Sequence, residues 1–139
     1  MGQEAANVGQ LREAYRNWHE SKGGSADHWM SICDERIDFR SLADGVEKLE
    51  FTQRYKSRED LAEYFDGLTG SFDMIHFTVD EFVAQGDRVV AIGSTAWRSK
   101  ATGKEFETPK VDVWRFKDGR AIEFFEYYDT AIVQAALAE

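Results

Sequence analysis

The sequence predicts an α+β fold in which a curved antiparallel sheet wraps around N-terminal helices. Three observations carry this expectation. Apolar residues recur at helical spacing at Val8, Leu11, Tyr15 and Trp18, and again at Leu61, Tyr64, Phe65 and Leu68. From residue 72 the period changes to two, in long runs separated by glycine-containing turns. Helical runs precede strand runs instead of alternating with them, which argues against βαβ units.

Taken in order, the first helix ends near Gly23-Gly24, and Ser25 caps a short second helix with Trp29, Met30 and Cys33 as its inner stripe. Residues 37–42 alternate as a strand, with Ile37, Phe39 and Ser41 sharing a face. Residues 43–56 show no clear period and read as a loop with an extended piece over 49–55. Ser57, with Asp60 three residues on, resembles a capping box that opens a third helix, and Gly70 fits its stop. Strands follow over 72–84, 88–99, 104–116 and 121–128, and residues 130–138 can form a short last helix. No repeat, low-complexity tract or linker interrupts the chain, so one domain over 1–139 is expected.

Composition narrows the function. The 139 residues are 42% hydrophobic and 14% aromatic, enough for a core without help from metal or disulfide. Cys33 is the single cysteine, which excludes an intrachain disulfide and suits a buried filler in a reducing compartment. With 17 basic and 26 acidic side chains the net charge is -9, which argues against nucleic acid and anionic membrane surfaces as partners. No apolar stretch approaches a membrane span, and the first ten residues lack a signal-peptide core. Ala6 stands where a myristoylation signal beginning Met1-Gly2 prefers serine or threonine. A cytoplasmic protein is expected. His19, His28 and Cys33 lack metal-ligand spacing, and no phosphate loop or nucleophile elbow is present, so neither metal nor cofactor is expected.

The strongest functional signal is charge on an aromatic sheet face. Alternation puts Phe106, Thr108, Lys110, Asp112, Trp114 and Phe116 on one side of their strand. A three-residue turn at 117–119 sets Phe116 opposite Arg120, Lys110 opposite Glu126 and Asp112 opposite Phe124, with Tyr128 on the same surface. A two-residue Asp118-Gly119 turn is the competing register and sends Glu126 to the other face. Pairing 85 with 88 sets His76 opposite Trp97 and Thr78 opposite Thr95. A four-residue turn at 100–103 sets Trp97 opposite Phe106 and Thr95 opposite Thr108.

If the sheet curls around the helices, this face lines a cone, approached from the helices by Tyr15, Trp18 and Phe65. Asp112, walled by Trp97, Trp114 and Phe124, is the candidate proton acceptor, because loss of water raises a carboxyl toward the range of a general base. A structural carboxylate tied to a neighbouring hydroxyl is the competing reading. Lys110 and Glu126 most simply form a buried ion pair, with Glu126 the next candidate for catalysis. His76 is the one group on this face that titrates near neutrality.

The element order, with Thr102-Gly103-Lys104, Asp112-Val113-Trp114-Arg115-Phe116, Asp118-Gly119-Arg120 and Glu126-Tyr127-Tyr128-Asp129, resembles the SnoaL-like branch of the NTF2-like superfamily. The likeness runs from about Leu11 to Leu137. It implies a cone-shaped fold, usually dimeric, with a deep apolar pocket. Ketosteroid isomerases, polyketide cyclases, scytalone dehydratases and limonene epoxide hydrolases share that fold. The resemblance implies that Asp112, nine residues after Gly103, takes the place of the cyclase aspartate. Glu126 takes that of an epoxide hydrolase aspartate, whose Arg-x-Asp partners are missing at Gly93 and Thr95. Three functions follow as expectations: cofactor-free proton transfer on a small apolar carbonyl compound, binding of such a molecule without chemistry, or a dimerisation module with a plugged pocket. A homodimer is expected through Val111, Val113, Phe125 and Tyr127 on the opposite sheet face.

Overall fold

The computed structural model describes residues 2–139; the Met1 end of the myristoylation reading lies outside them. Helix α1, Gly2–Glu20, buries Leu11, Ala14, Tyr15 and Trp18, and the Gly23 N–H closes its end on the Trp18 carbonyl. Helix α2, Ala26–Ile32, starts after Ser25, whose side chain makes no capping bond. Cys33 does not belong to that helix: it is the first residue of β1, Cys33–Ser41. The loop after β1 holds a 3₁₀ turn at Glu50–Thr52 and a single bridge from Phe39 to Tyr55. Extension over 49–55 is thus confined to its end. Helix α3, Leu61–Ser71, opens one turn later than the Ser57 cap implies and runs through Gly70. Asp60 is its N-cap and makes no side-chain capping bond, while the Ser57 hydroxyl accepts from the Asp60 N–H, which is half of a capping box.

Strands β2, Phe72–Gln85, β3, Arg88–Ser99, β4, Glu105–Lys117, and β5, Arg120–Tyr128, form a meander, and α4, Thr130–Leu137, follows. The curved, unclosed sheet has the order β1-β5-β4-β3-β2. Its β1 runs parallel to β5, so the sheet is mixed and not wholly antiparallel.

Bulges decide which side chains face the helices. In β2–β3 the turn pairs Gln85 with Arg88, but the register slips between Val79 and Glu81 and again between Met74 and His76. Phe77, not Thr78, therefore faces Thr95, and Met74, not His76, faces Trp97. Each slip reverses the alternation, so Phe77 points inward and is buried while Thr78 is exposed. The β3–β4 register is the expected one, with Trp97 opposite Phe106 and Thr95 opposite Thr108.

In β4–β5 two departures cancel. The turn has two residues, Asp118 and Gly119, both at positive φ, which pairs Lys117 with Arg120. Ile122 is then an extra residue, between the Phe116–Ala121 and Arg115–Glu123 pairs. The bulge restores the inward face of Glu126 that the tighter turn alone reverses. Asp112 consequently faces Glu126 and not Phe124, and Lys110 faces Tyr128.

Candidate functional site

Between the sheet and α1–α3 lies an apolar cavity, about 90 Å³ of which can take the centre of a water molecule. One water needs roughly 10–15 Å³ by this measure, so the space suits several waters or one small cyclic molecule. All four tryptophans line it. Trp29 stacks on Trp114 at 5.5 Å and meets Tyr15 edge-on at 4.8 Å. Trp18 contacts Phe65 and Trp97. Because the cavity stays open, Tyr15, Trp97 and Trp114 do not plug it.

At its floor sits a charged trio. Lys110, Asp112 and Glu126 are 8%, 3% and 4% exposed. The Lys110 Nζ lies 2.5 Å from Asp112 Oδ1 and 3.0 Å from Glu126 Oε1. The lysine reaches Glu126 diagonally across the hairpin, since its directly opposed residue is Tyr128. Aromatic faces complete its surroundings, with Phe77 at 5.3 Å and Phe124 at 5.8 Å.

Hydroxyls hold the remaining carboxylate oxygens. Tyr15 on α1 donates to Asp112 Oδ2 at 2.6 Å, and its oxygen accepts from Trp114 Nε1 at 2.9 Å. Tyr64 on α3 donates to Glu126 Oε2 at 2.7 Å, and Ser41 on β1 donates to the same atom at 2.5 Å. Ser41 also meets the Tyr128 hydroxyl at 3.2 Å. Thr95 donates to the His76 carbonyl and accepts from Trp97 Nε1, while Thr108 donates to Pro109 and accepts from the Asp129 N–H. From Trp114 and Tyr15 through the trio to Tyr64, Ser41 and Tyr128 the floor is thus one connected polar network inside an aromatic shell, to which Thr95 and Thr108 are not bonded.

Burial and charge pull against each other here. Burial raises the Asp112 carboxyl above its ordinary value, against the pull of Lys110. Burial also works against the Lys110 ammonium, but Asp112 and then Glu126 outweigh it and hold it above its ordinary value. Burial, then the Asp112 charge, keep Tyr15 protonated well above the usual phenol range. Burial and Glu126 do the same for Tyr64. Tyr15 therefore acts as a neutral donor. Its hydrogen is engaged by Asp112 and is not free to polarise a carbonyl group.

Of the expected site residues, Tyr15, Trp18, Phe65, Thr95 and Trp97 line the cavity, as do Thr108, Lys110, Asp112, Trp114, Phe124, Glu126 and Tyr128. His76 and Thr78 do not. Both sit between the two β2 slips, and they hydrogen-bond to each other at 3.1 Å. The His76 Nε2 meets Glu107 at 2.7 Å on the outer surface, which removes it from the site. Tyr64 and Ser41 were missed as parts of the site, though each is a hydroxyl on a stripe otherwise apolar. Burial makes such a hydroxyl seek a partner, and Glu126 is that partner. No group of three or more potential metal-binding side chains occurs among the described residues. No described helix is long and apolar enough to cross a membrane.

No curated protein matches the chain. Solved structures share its fold. An NTF2-like protein of unknown function from Burkholderia pseudomallei is 20% identical with a TM-score of 0.82, over 96% of this chain and 98% of that one. A protein considered a SnoaL-like polyketide cyclase, from Jannaschia sp., is 17% identical with a TM-score of 0.74, over 98% and 94%. A protein of ketosteroid isomerase-like fold from Catenulispora acidiphila, in complex with trimethylamine, is 15% identical with a TM-score of 0.71, over 87% and 88%. At these identities the likeness concerns the fold. The model of the SnoaL-like domain matches residues 11–124, which take in α2, α3, the second half of α1 and, of the charged floor, Lys110 and Asp112 but not Glu126, and the chain belongs to that family.

Proposed function

We propose that the cone binds a small, mainly apolar carbonyl compound and moves a proton on it without a cofactor. The observation that carries this reading is the convergence of two carboxylates on one ammonium at the end of an aromatic cavity. A carbonyl oxygen accepting from Lys110 gains an electrophilic partner for the enolate that forms when an adjacent C–H loses its proton. Asp112 is the proton acceptor. Burial lifts its basicity, and each carboxylate oxygen has a second lone pair beyond the one engaged by Lys110 or Tyr15. Kinship supports the chemistry by analogy alone, through the Jannaschia protein considered a cyclase.

Hydrogen–deuterium exchange tests this directly. Aryl and cyclic ketones in D₂O should exchange their α-hydrogens faster with the protein than without. Asp112→Asn, which keeps the shape, should slow that exchange about a hundredfold. Unchanged exchange in the variant removes Asp112 from the role and moves it to Glu126. A second reading, binding without chemistry, is favoured by one observation: every oxygen of both carboxylates already accepts a bond from the protein. Ligand binding with no exchange by the wild type selects it.

Assembly as a homodimer belongs to the same proposal. Phe125 and Tyr127 stack at 4.5 Å on the outer face, where Tyr127 is 42% exposed, and Arg115 with Glu123 stands beside them. Light scattering at micromolar concentration should give twice the chain mass, and a monomer mass overturns it.

A further inference from the structure

We propose that Glu126 turns the cavity into a charge filter, which admits uncharged molecules bearing an acceptor oxygen and rejects carboxylates and phosphates despite the lysine at its floor. The inference rests on the reading of the cone as a ligand site and specifies what that site takes.

The first argument is charge. One ammonium stands against two carboxylates within 3.0 Å, so the trio carries -1 with both ionised and zero with one protonated. It is positive in neither state. Lys110 is the only lysine, arginine or histidine among the described residues that line the cavity. A buried anion would therefore meet no uncompensated counter-charge, and desolvating it would go unrepaid. Without Glu126, Lys110 and an ionised Asp112 would sum to zero, or to +1 with Asp112 protonated.

The second argument is hydrogen-bonding capacity. Tyr15, Tyr64, Ser41, Thr95 and Thr108 all direct their hydroxyl hydrogens at protein acceptors. Lys110 has three N–H groups, and its two carboxylate contacts leave one over. The indole N–H groups of Trp18 and Trp29, which also line the cavity, donate to no protein acceptor among the described residues. Donor capacity is thus left over at the ammonium, beside the spare lone pairs of the Asp112 carboxylate, and a ligand that brings an acceptor oxygen engages it. A flat ring matches the surrounding aromatic faces.

Three probes of nearly one shape separate these demands: acetophenone (neutral, with acceptor), benzoate (anionic) and ethylbenzene (no acceptor). Ligand-observed NMR titration of the full chain at pH 7 should show acetophenone binding about tenfold more tightly than either of the others. Glu126→Gln keeps the shape and removes one negative charge. It should raise benzoate affinity about tenfold, with acetophenone affinity changed much less. That shift in selectivity is one that mere loss of structure cannot produce. Benzoate binding as tightly as acetophenone to the wild type overturns the filter and leaves the cavity as a ligand site. Equal binding of ethylbenzene overturns the acceptor requirement. Binding by none of the three removes the ligand-site reading itself, and the filter with it.

Discussion

The two outer hairpins of the sheet make an instructive pair. Both carry bulges, yet β4–β5 keeps its charged residues inside while β2–β3 turns His76 and Thr78 out. In β4–β5 a tight turn and a bulge each shift the register by one residue, and the two shifts cancel in parity. In β2–β3 the turn is regular and the first bulge has nothing to cancel it until the second, so the stretch between them is inverted. A bulge is therefore a choice of face as much as a bend. Here the choice puts Phe77 against Tyr15 and Lys110, and leaves the titratable imidazole to a surface ion pair.

A one-residue insertion in each hairpin should break the comparison most sharply, since deleting the extra residue of a bulge keeps every pair in place. Insertion after Glu123 shifts the later β5 pairs by one, which would carry Glu126 and Tyr128 outward and strand Lys110 with Asp112. A loss above about 4 kcal/mol in urea unfolding is expected. Insertion between Thr78 and Val79 instead exchanges Phe77 for its polar neighbours, at about 2–3 kcal/mol. If the β2 insertion proves the costlier, the aromatic wall and not the charged floor is the sensitive part.

The next effect concerns the floor alone. Lys110→Met leaves two buried carboxylates facing each other across a strand pair, and should cost about 3–5 kcal/mol. Adding Glu126→Gln removes one of those charges and should recover part of the loss. Strictly additive losses in this double-mutant cycle would show that the two side chains are not coupled. His76→Ala marks the small end of the scale. Its partner Glu107 is exposed and its own side chain is 26% exposed, so stability should move by at most about 0.5 kcal/mol and ketone exchange not at all. A clear loss of exchange would return His76 to the site.

Much of this was legible in the chain. Alternation alone placed Lys110, Asp112 and Trp114 together, because all three lie on one strand where no bulge intervenes. The helical stripes found Tyr15, Trp18 and Phe65 for the same reason. Glu126 was reached through a register that proved wrong in its turn and right in its face. His76 was lost because a bulge adds one residue without a reliable mark: Ile75 and Asp80 read as ordinary members of a strand. The parallel contact of β1 with β5 was invisible, since nothing in residues 33–41 names a partner more than eighty positions away.

That distance has a consequence for how the molecule comes to be. The hydroxyls that complete the floor reach it from 97 residues away at Tyr15, 62 at Tyr64 and 85 at Ser41. Contacts so far apart in sequence form only after the intervening chain has lost most of its freedom, while the β4–β5 hairpin can close on its own within microseconds. On sequence separation alone, Asp112 and Glu126 should meet Lys110 early and in water, with both carboxylates still solvated, and the helices and β1 should bring their hydroxyls as that water leaves. Such an order would seal in the charged trio with its hydrogen bonds already at hand.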